Sequence, residues 1–181
     1  MRTLFSLPIC LLFLAGSCGF IPKTVRFSGS PPVTGGEPLS LTGILAKPEG
    51  NGPFPGIVLL HGAGGINQER DADWVRRLVR WGYVTLQVDS FRPRGVARVV
   101  GTPFRVPFLA RAQDAHDGKA YLAGLPFVAP DQIGVTGWSH GGISAHYAVD
   151  ELSGPLRGDG PFRAGIAFYP ACRRPLDRLD A

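Results

Sequence analysis

The stretch Ile133-Gly134-Val135-Thr136-Gly137-Trp138-Ser139-His140-Gly141-Gly142 restricts the possible folds of this chain more than any other. A β-branched run leads into Gly137-x-Ser139-x-Gly141, and a helix-like pattern follows from Ile143. A strand that turns abruptly into a helix holds a serine at its tip in this way. The turn forces the serine into a strained backbone conformation, so the residues two places away must lack colliding side chains. Ser139 Oγ then projects above the strand ends, and the helix behind it presents unpaired N–H groups to developing negative charge. A bare Gly-x-Ser-x-Gly also arises by chance in glycine-rich chains, and this one has 25 glycines, so an ordinary turn is the competing reading. The strand before, the helix after and a second glycine-rich loop upstream favour the serine turn.

The flanking pattern predicts the fold class. Thr24–Phe27 and Leu39–Ala46 alternate and read as an antiparallel strand pair. Gly56–Leu60 is continuously apolar, as in a strand buried on both faces, and it runs into His61-Gly62-Ala63-Gly64-Gly65. A helix is predicted over Asp71–Trp81 from Trp74, Leu78 and Trp81, then a strand Val84–Val88 ending at Asp89. A Pro/Gly/Arg-rich loop runs from Ser90 to Pro107, followed by a helix over Ala110–Leu125, the serine-turn strand, a helix Ile143–Leu152 and a strand Ala164–Tyr169. Strands alternating with helices imply an α/β architecture, a mostly parallel sheet with helices on both faces.

With 181 residues and 44% apolar content the chain is long enough for one sizeable core. Its net charge of +5 comes from scattered arginines interleaved with acids, with no basic run and no stacking aromatics, so a nucleic-acid partner is not indicated. The four histidines stand alone, no Cys-x-x-Cys occurs, and neither a metal site nor a cofactor is implied. Residues 1–17 read as a secretory signal: Arg2, an apolar run Leu4–Ala15, then small residues before Cys18. Ala15-Gly16-Ser17-Cys18 also looks like a bacterial lipobox, which would lipidate Cys18 and anchor the protein to a membrane; simple cleavage near Ser17 is the alternative. Either way an exported protein is expected, periplasmic or membrane-anchored, with the folded domain over 24–181.

The ordered pieces resemble the α/β-hydrolase fold and, within it, the dienelactone hydrolase family. The resemblance rests on Leu59–Gly65, Val88-Asp89-Ser90-Phe91-Arg92-Pro93-Arg94-Gly95, Gly134–Gly142 and Ala167-Phe168-Tyr169-Pro170-Ala171-Cys172, and covers roughly 24 to 172. It implies hydrolysis of a small-molecule ester or lactone, with Ser139 as nucleophile and the backbone N–H groups of Ala63 and His140 as oxyanion donors. Dienelactone hydrolases proper use cysteine as nucleophile, so serine points to a wider esterase-like branch that includes carboxylesterase or acyl-peptide hydrolase-like activities. A phosphate-cradling role for His61–Gly65 is disfavoured because no Lys-Ser/Thr follows.

In this fold the triad acid and histidine follow the serine in chain order. The sequence stops soon after Cys172, with Asp177 and Asp180 but no later histidine, so a domain incomplete after the sixth strand is expected. His61, His116, His140 and His146 are expected to be packed or exposed rather than basic catalysts. The alternative to an esterase is thus a remnant or noncatalytic lipoprotein lacking the triad Asp and His, and Ala164–Tyr169 is expected to be an exposed edge strand. Arg92 and Arg94, on a loop after a strand end, are candidates for holding a substrate carboxylate; the competing role is a salt bridge to Asp89 or simple solvation.

Overall fold

In the computed structural model, residues 22–31, 37–150 and 160–170 are described. The predicted signal, Cys18, Cys172, Asp177 and Asp180 lie outside them.

Six strands form one open mixed sheet in the order β1-β2-β4-β3-β5-β6. They are β1 (Lys23–Ser28), β2 (Ser40–Ala46), β3 (Phe54–Leu60), β4 (Val84–Asp89), β5 (Val128–Trp138) and β6 (Gly165–Phe168). The first two pair antiparallel, as their alternation predicts, and β2 is antiparallel to β4. From β4 through β3 and β5 to β6 every pairing is parallel. That parallel block places the C-terminal ends of β3, β4 and β5 along one edge, where loops can converge over a ligand.

The period-two alternation of β3 divides the core. Val58 and Leu60 face one side, where they meet Val84, Leu86 and Val88 of β4 beneath helices α2 (Phe108–Ala123) and α3 (His140–Val149). Ile57 and Leu59 face the other, against Val75, Leu78 and Val79 of helix α1 (Gln68–Arg80). The sheet is therefore covered on both faces, as the sequence predicts.

Several boundaries differ from the expected ones. The first helix begins at Gln68 rather than Asp71, because Asn67 caps it: Arg70 N–H donates to Asn67 Oδ1 at 2.8 Å and Asn67 N–H to Asp71 Oδ2 at 2.8 Å. Asp71 is fully buried and also accepts from Gln87 Nε2 at 2.7 Å, so it ties α1 to β4 rather than starting the helix. Trp81, assigned by spacing to the apolar face, is 63% exposed; Val75 and Val79 hold that place. The later helices begin at Phe108 and His140, earlier than expected, and β5 extends back to Val128 through a register irregularity against Phe54 and Gly56. At the sheet margin, Ile166 of β6 is 56% exposed, in line with the expected edge strand.

Candidate active site

Ser139 sits between β5 and α3 with φ 53° and ψ −116°, a left-handed region that L-residues enter at a cost. Its neighbours make the turn sterically possible. A Cβ on Gly137 would collide with the Gly141 carbonyl, and one on Gly141 with the Leu60 and His61 carbonyls. The glycines two residues before and after the serine therefore serve close backbone packing of the helix onto β3. The serine N–H donates to Phe168 O at 3.0 Å, and Ile143 N–H returns to Ser139 O at 3.0 Å, so the strained residue is held from both sides. Its side chain is partly exposed at the parallel strand ends.

The loop after β3 passes directly beside it. A Cβ built on Gly62 would lie 3.9 Å from Ser139 Cβ and 3.4 Å from Trp138 O. Gly65 N–H closes a turn on Gly62 O at 3.1 Å, and the Ala63 carbonyl accepts from Val99 N–H at 2.8 Å. This fixes the peptide planes around Ala63 against a small apolar cluster of Phe91, Val96, Val99 and Val106. Among the described residues the Ala63 N–H donates to no backbone carbonyl. His140 is the first residue of α3, where an N–H has no carbonyl one turn earlier to bond. Ala63 and His140 thus bring two backbone donors to the two loops that flank Ser139.

No described histidine ring is hydrogen-bonded to this serine. The His140 ring is buried and turned away: Nδ1 accepts from Arg111 Nη1 at 2.6 Å and Nε2–H donates to Pro103 O at 2.7 Å. Burial, reinforced by the Arg111 charge, lowers its pKa from 6.5 to about 4. His61 is fully buried and donates Nδ1–H to Gly62 O at 2.8 Å. Burial and then Arg111 lower its pKa to about 3. Its 3.9 Å approach to Asp89 is consequently not an ion pair at neutral pH. His116 packs on Phe162 and bonds Ala148 O at 3.0 Å, while His146 is exposed on α3.

The two loop arginines part company. Arg92 reaches Asp89 at 3.2 Å, the salt bridge weighed from the sequence, with its side chain 71% exposed. Arg94 instead forks onto Asp114 of α2 through both terminal nitrogens at 2.8 Å each, and donates to Ser90 O at 2.8 Å. Burial pushes the Asp114 carboxyl up, with the Arg94 fork pulling against it.

Sequence reading did not find Arg111. It is completely buried in α2, stacks over the Phe91 ring at 4.8 Å and donates Nη2–H to His61 O at 2.7 Å. Burial lowers its pKa to about 9, which leaves it charged at neutral pH. A groove of about 880 Å³ on the α1 face is lined by Trp74, Trp81, Trp138, Ile166 and Phe168 and does not include Ser139. At the strand ends Ser139, the loop after β3 and the first turn of α3 come together.

The model of the dienelactone hydrolase family matches residues 41–180. No curated protein matches the chain. Among solved structures, esterase Est22 superposes with a TM-score of 0.56 at 19% identity, over 75% of this chain and 39% of that one. A candidate dienelactone hydrolase from Klebsiella pneumoniae subsp. pneumoniae MGH 78578 gives 0.51 at 20% identity, over 72% of this chain and 56% of its own. Dipeptidyl peptidase 4 of Porphyromonas gingivalis gives 0.56 at 24% identity, over 82% and 20%. The chain spans only part of each of these proteins, and at such identities the likeness is one of fold.

Proposed function

Since this chain belongs to the dienelactone hydrolase family, we propose that it acts on ester or lactone bonds of small acyl compounds through Ser139. The observation that carries this reading is the positive-φ serine at the β5–α3 turn, flanked by the loop that bears Ala63. In the acylation step Ser139 Oγ bonds to the carbonyl carbon, and the carbonyl π pair moves onto oxygen. The Ala63 and His140 N–H groups stabilise that oxyanion. Collapse breaks the bond to the leaving oxygen, which takes up the proton released by the serine. Water then attacks the acyl-enzyme, releases the acid and returns the proton to Oγ. Arg92, which keeps an exposed guanidinium at the same sheet edge, is the candidate contact for an anionic acyl group; Arg94 is committed to Asp114. An export signal over 1–17 and lipidation of Cys18 belong to the same proposal and rest on the sequence pattern.

The test is hydrolysis of p-nitrophenyl acetate with mass mapping of the acyl adduct. Burst release with acetyl on Ser139 supports the reading, and an adduct elsewhere that survives Ser139→Ala overturns it. A second reading, a noncatalytic relative that binds acyl compounds without turnover, is favoured by one fact. Each described buried histidine ring is engaged away from Ser139. Absence of turnover alongside saturable binding of a neutral ester would decide for it.

A further inference from the structure

Arg111 occupies a setting that its charge alone does not explain. A guanidinium removed from water loses hydration that a contacting carboxylate normally replaces. Arg111 contacts none: its donors go to the His61 carbonyl at 2.7 Å and the His140 ring at 2.6 Å, and Asp114 acts on it only as a nearby charge. These two acceptors belong to the two loops that carry the backbone donors. His61 lies two residues before Ala63, and His140 supplies the other N–H itself. The same His61 carbonyl abuts Gly141, so loop and turn already meet at this atom. Phe91 flanks the assembly, its ring 4.8 Å from the guanidinium, 4.5 Å from His61 and 5.8 Å from His140.

We propose that Arg111 is a positioning residue that clamps the loop after β3 to the turn after β5 and so sets the spacing of the Ala63 and His140 donors. The proposal rests on the serine-hydrolase reading above. The planar fork can donate along two directions from one rigid group, and a lysine cannot span both acceptors in that way. The clamp also fixes the His140 tautomer. With Arg111 donating to Nδ1, the ring proton stays on Nε2 and is given to Pro103 O at 2.7 Å, which anchors the loop before α2. The titratable and charged groups facing this ring and guanidinium are neutral His61, Asp89, Arg94 and Asp114. Displacement of a donor by about 1 Å is enough to cost about 10²-fold in rate.

The experiment compares wild type, Arg111→Lys and Arg111→Met. Steady-state hydrolysis of p-nitrophenyl butyrate is normalised to folded protein, and His140 is followed by ¹⁵N NMR. Arg111→Met is expected to lower kcat about 10²-fold with KM little changed, since the residue touches no substrate. Arg111→Lys recovers part of the loss. In the wild type His140 stays a neutral Nε2–H ring down to about pH 4, and it titrates at a higher pH in Arg111→Met, which removes the neighbouring charge and leaves the burial. A purely structural role would lower the melting temperature and leave kcat per folded molecule unchanged, which overturns the clamp. If wild type acylates no serine, the hydrolase reading fails instead. The clamp is then judged by amide exchange at Ala63 and His140: equal rates in wild type and Arg111→Met overturn it, and faster exchange confined to the variant upholds it. Should Arg111→Met fail to fold, the lysine variant gives the same readouts.

Discussion

Acid should unfold this protein earlier than an ordinary domain, through His61 and His140. Unfolded imidazoles take up a proton near pH 6.5, but the folded state resists protonation until about pH 3 at His61 and about pH 4 at His140. Between those limits the unfolded chain binds more protons than the native one, so stability falls as pH falls. Each group contributes about 1.4 kcal/mol per pH unit in that window. From pH 7.5 to pH 5 the pair therefore costs about 4 kcal/mol, against a total of about 5–15 kcal/mol for a typical domain. The Asp114 carboxyl, raised by burial, works in the opposite direction above its ordinary value, and His116, lowered by burial, adds in the same direction. Both are retained in a comparison of wild type with His61→Asn, His140→Gln and the double variant, so their effects cancel in the difference. Urea unfolding followed by tryptophan fluorescence from pH 7.5 to pH 5 should show the wild-type midpoint falling by about 2 M. The double variant should show a much shallower slope. Equal slopes in the two proteins would refute burial of two neutral histidines beneath the serine turn.

Other expected outcomes follow from single contacts. Arg94→Ala leaves the buried Asp114 without its fork and should cost about 3–5 kcal/mol, whereas Arg92→Ala on the exposed side of Asp89 should stay within about 0.5 kcal/mol, both by thermal melting. Leu86→Ala empties a fully buried place between the sheet and α2 and should lower stability by about 2–5 kcal/mol in urea titration. Gly141→Ala drives a methyl into the Leu60 and His61 carbonyls, so soluble folded protein should be lost while Gly64→Ala, with open space around it, is tolerated; recovery of both in solution would contradict the packing. Ile166→Lys on the β6 edge should reduce self-association in size-exclusion chromatography, and an unchanged profile would show that this edge does not pair.

The order of strands and helices was legible because hydrophobic period and turn residues are local. The run Gly56–Leu60 and the Gly137-x-Ser139-x-Gly141 spacing each state their own geometry. Boundaries were less legible where a tertiary contact decides them. Asp71 looked like a helix start and is instead a buried link to Gln87, and the cap fell to Asn67. Trp81 kept helical spacing but lies past the last turn of α1, where its ring faces outward. Within the site, the serine and its loop could be read from motif chemistry, while Arg111 could not. Its partners are 29 and 50 residues away, and only the crossing of α2 under two strand ends brings them together. An arginine amid helical residues gives no hint of full burial.

Reaction of the protein with a fluorophosphonate, followed by peptide mapping, puts the assignment of the nucleophile to its most direct test. The geometry at the β5–α3 turn predicts a single adduct on Ser139 that disappears in Ser139→Ala with the fold intact. An adduct on a different residue, retained in Ser139→Ala, would contradict it.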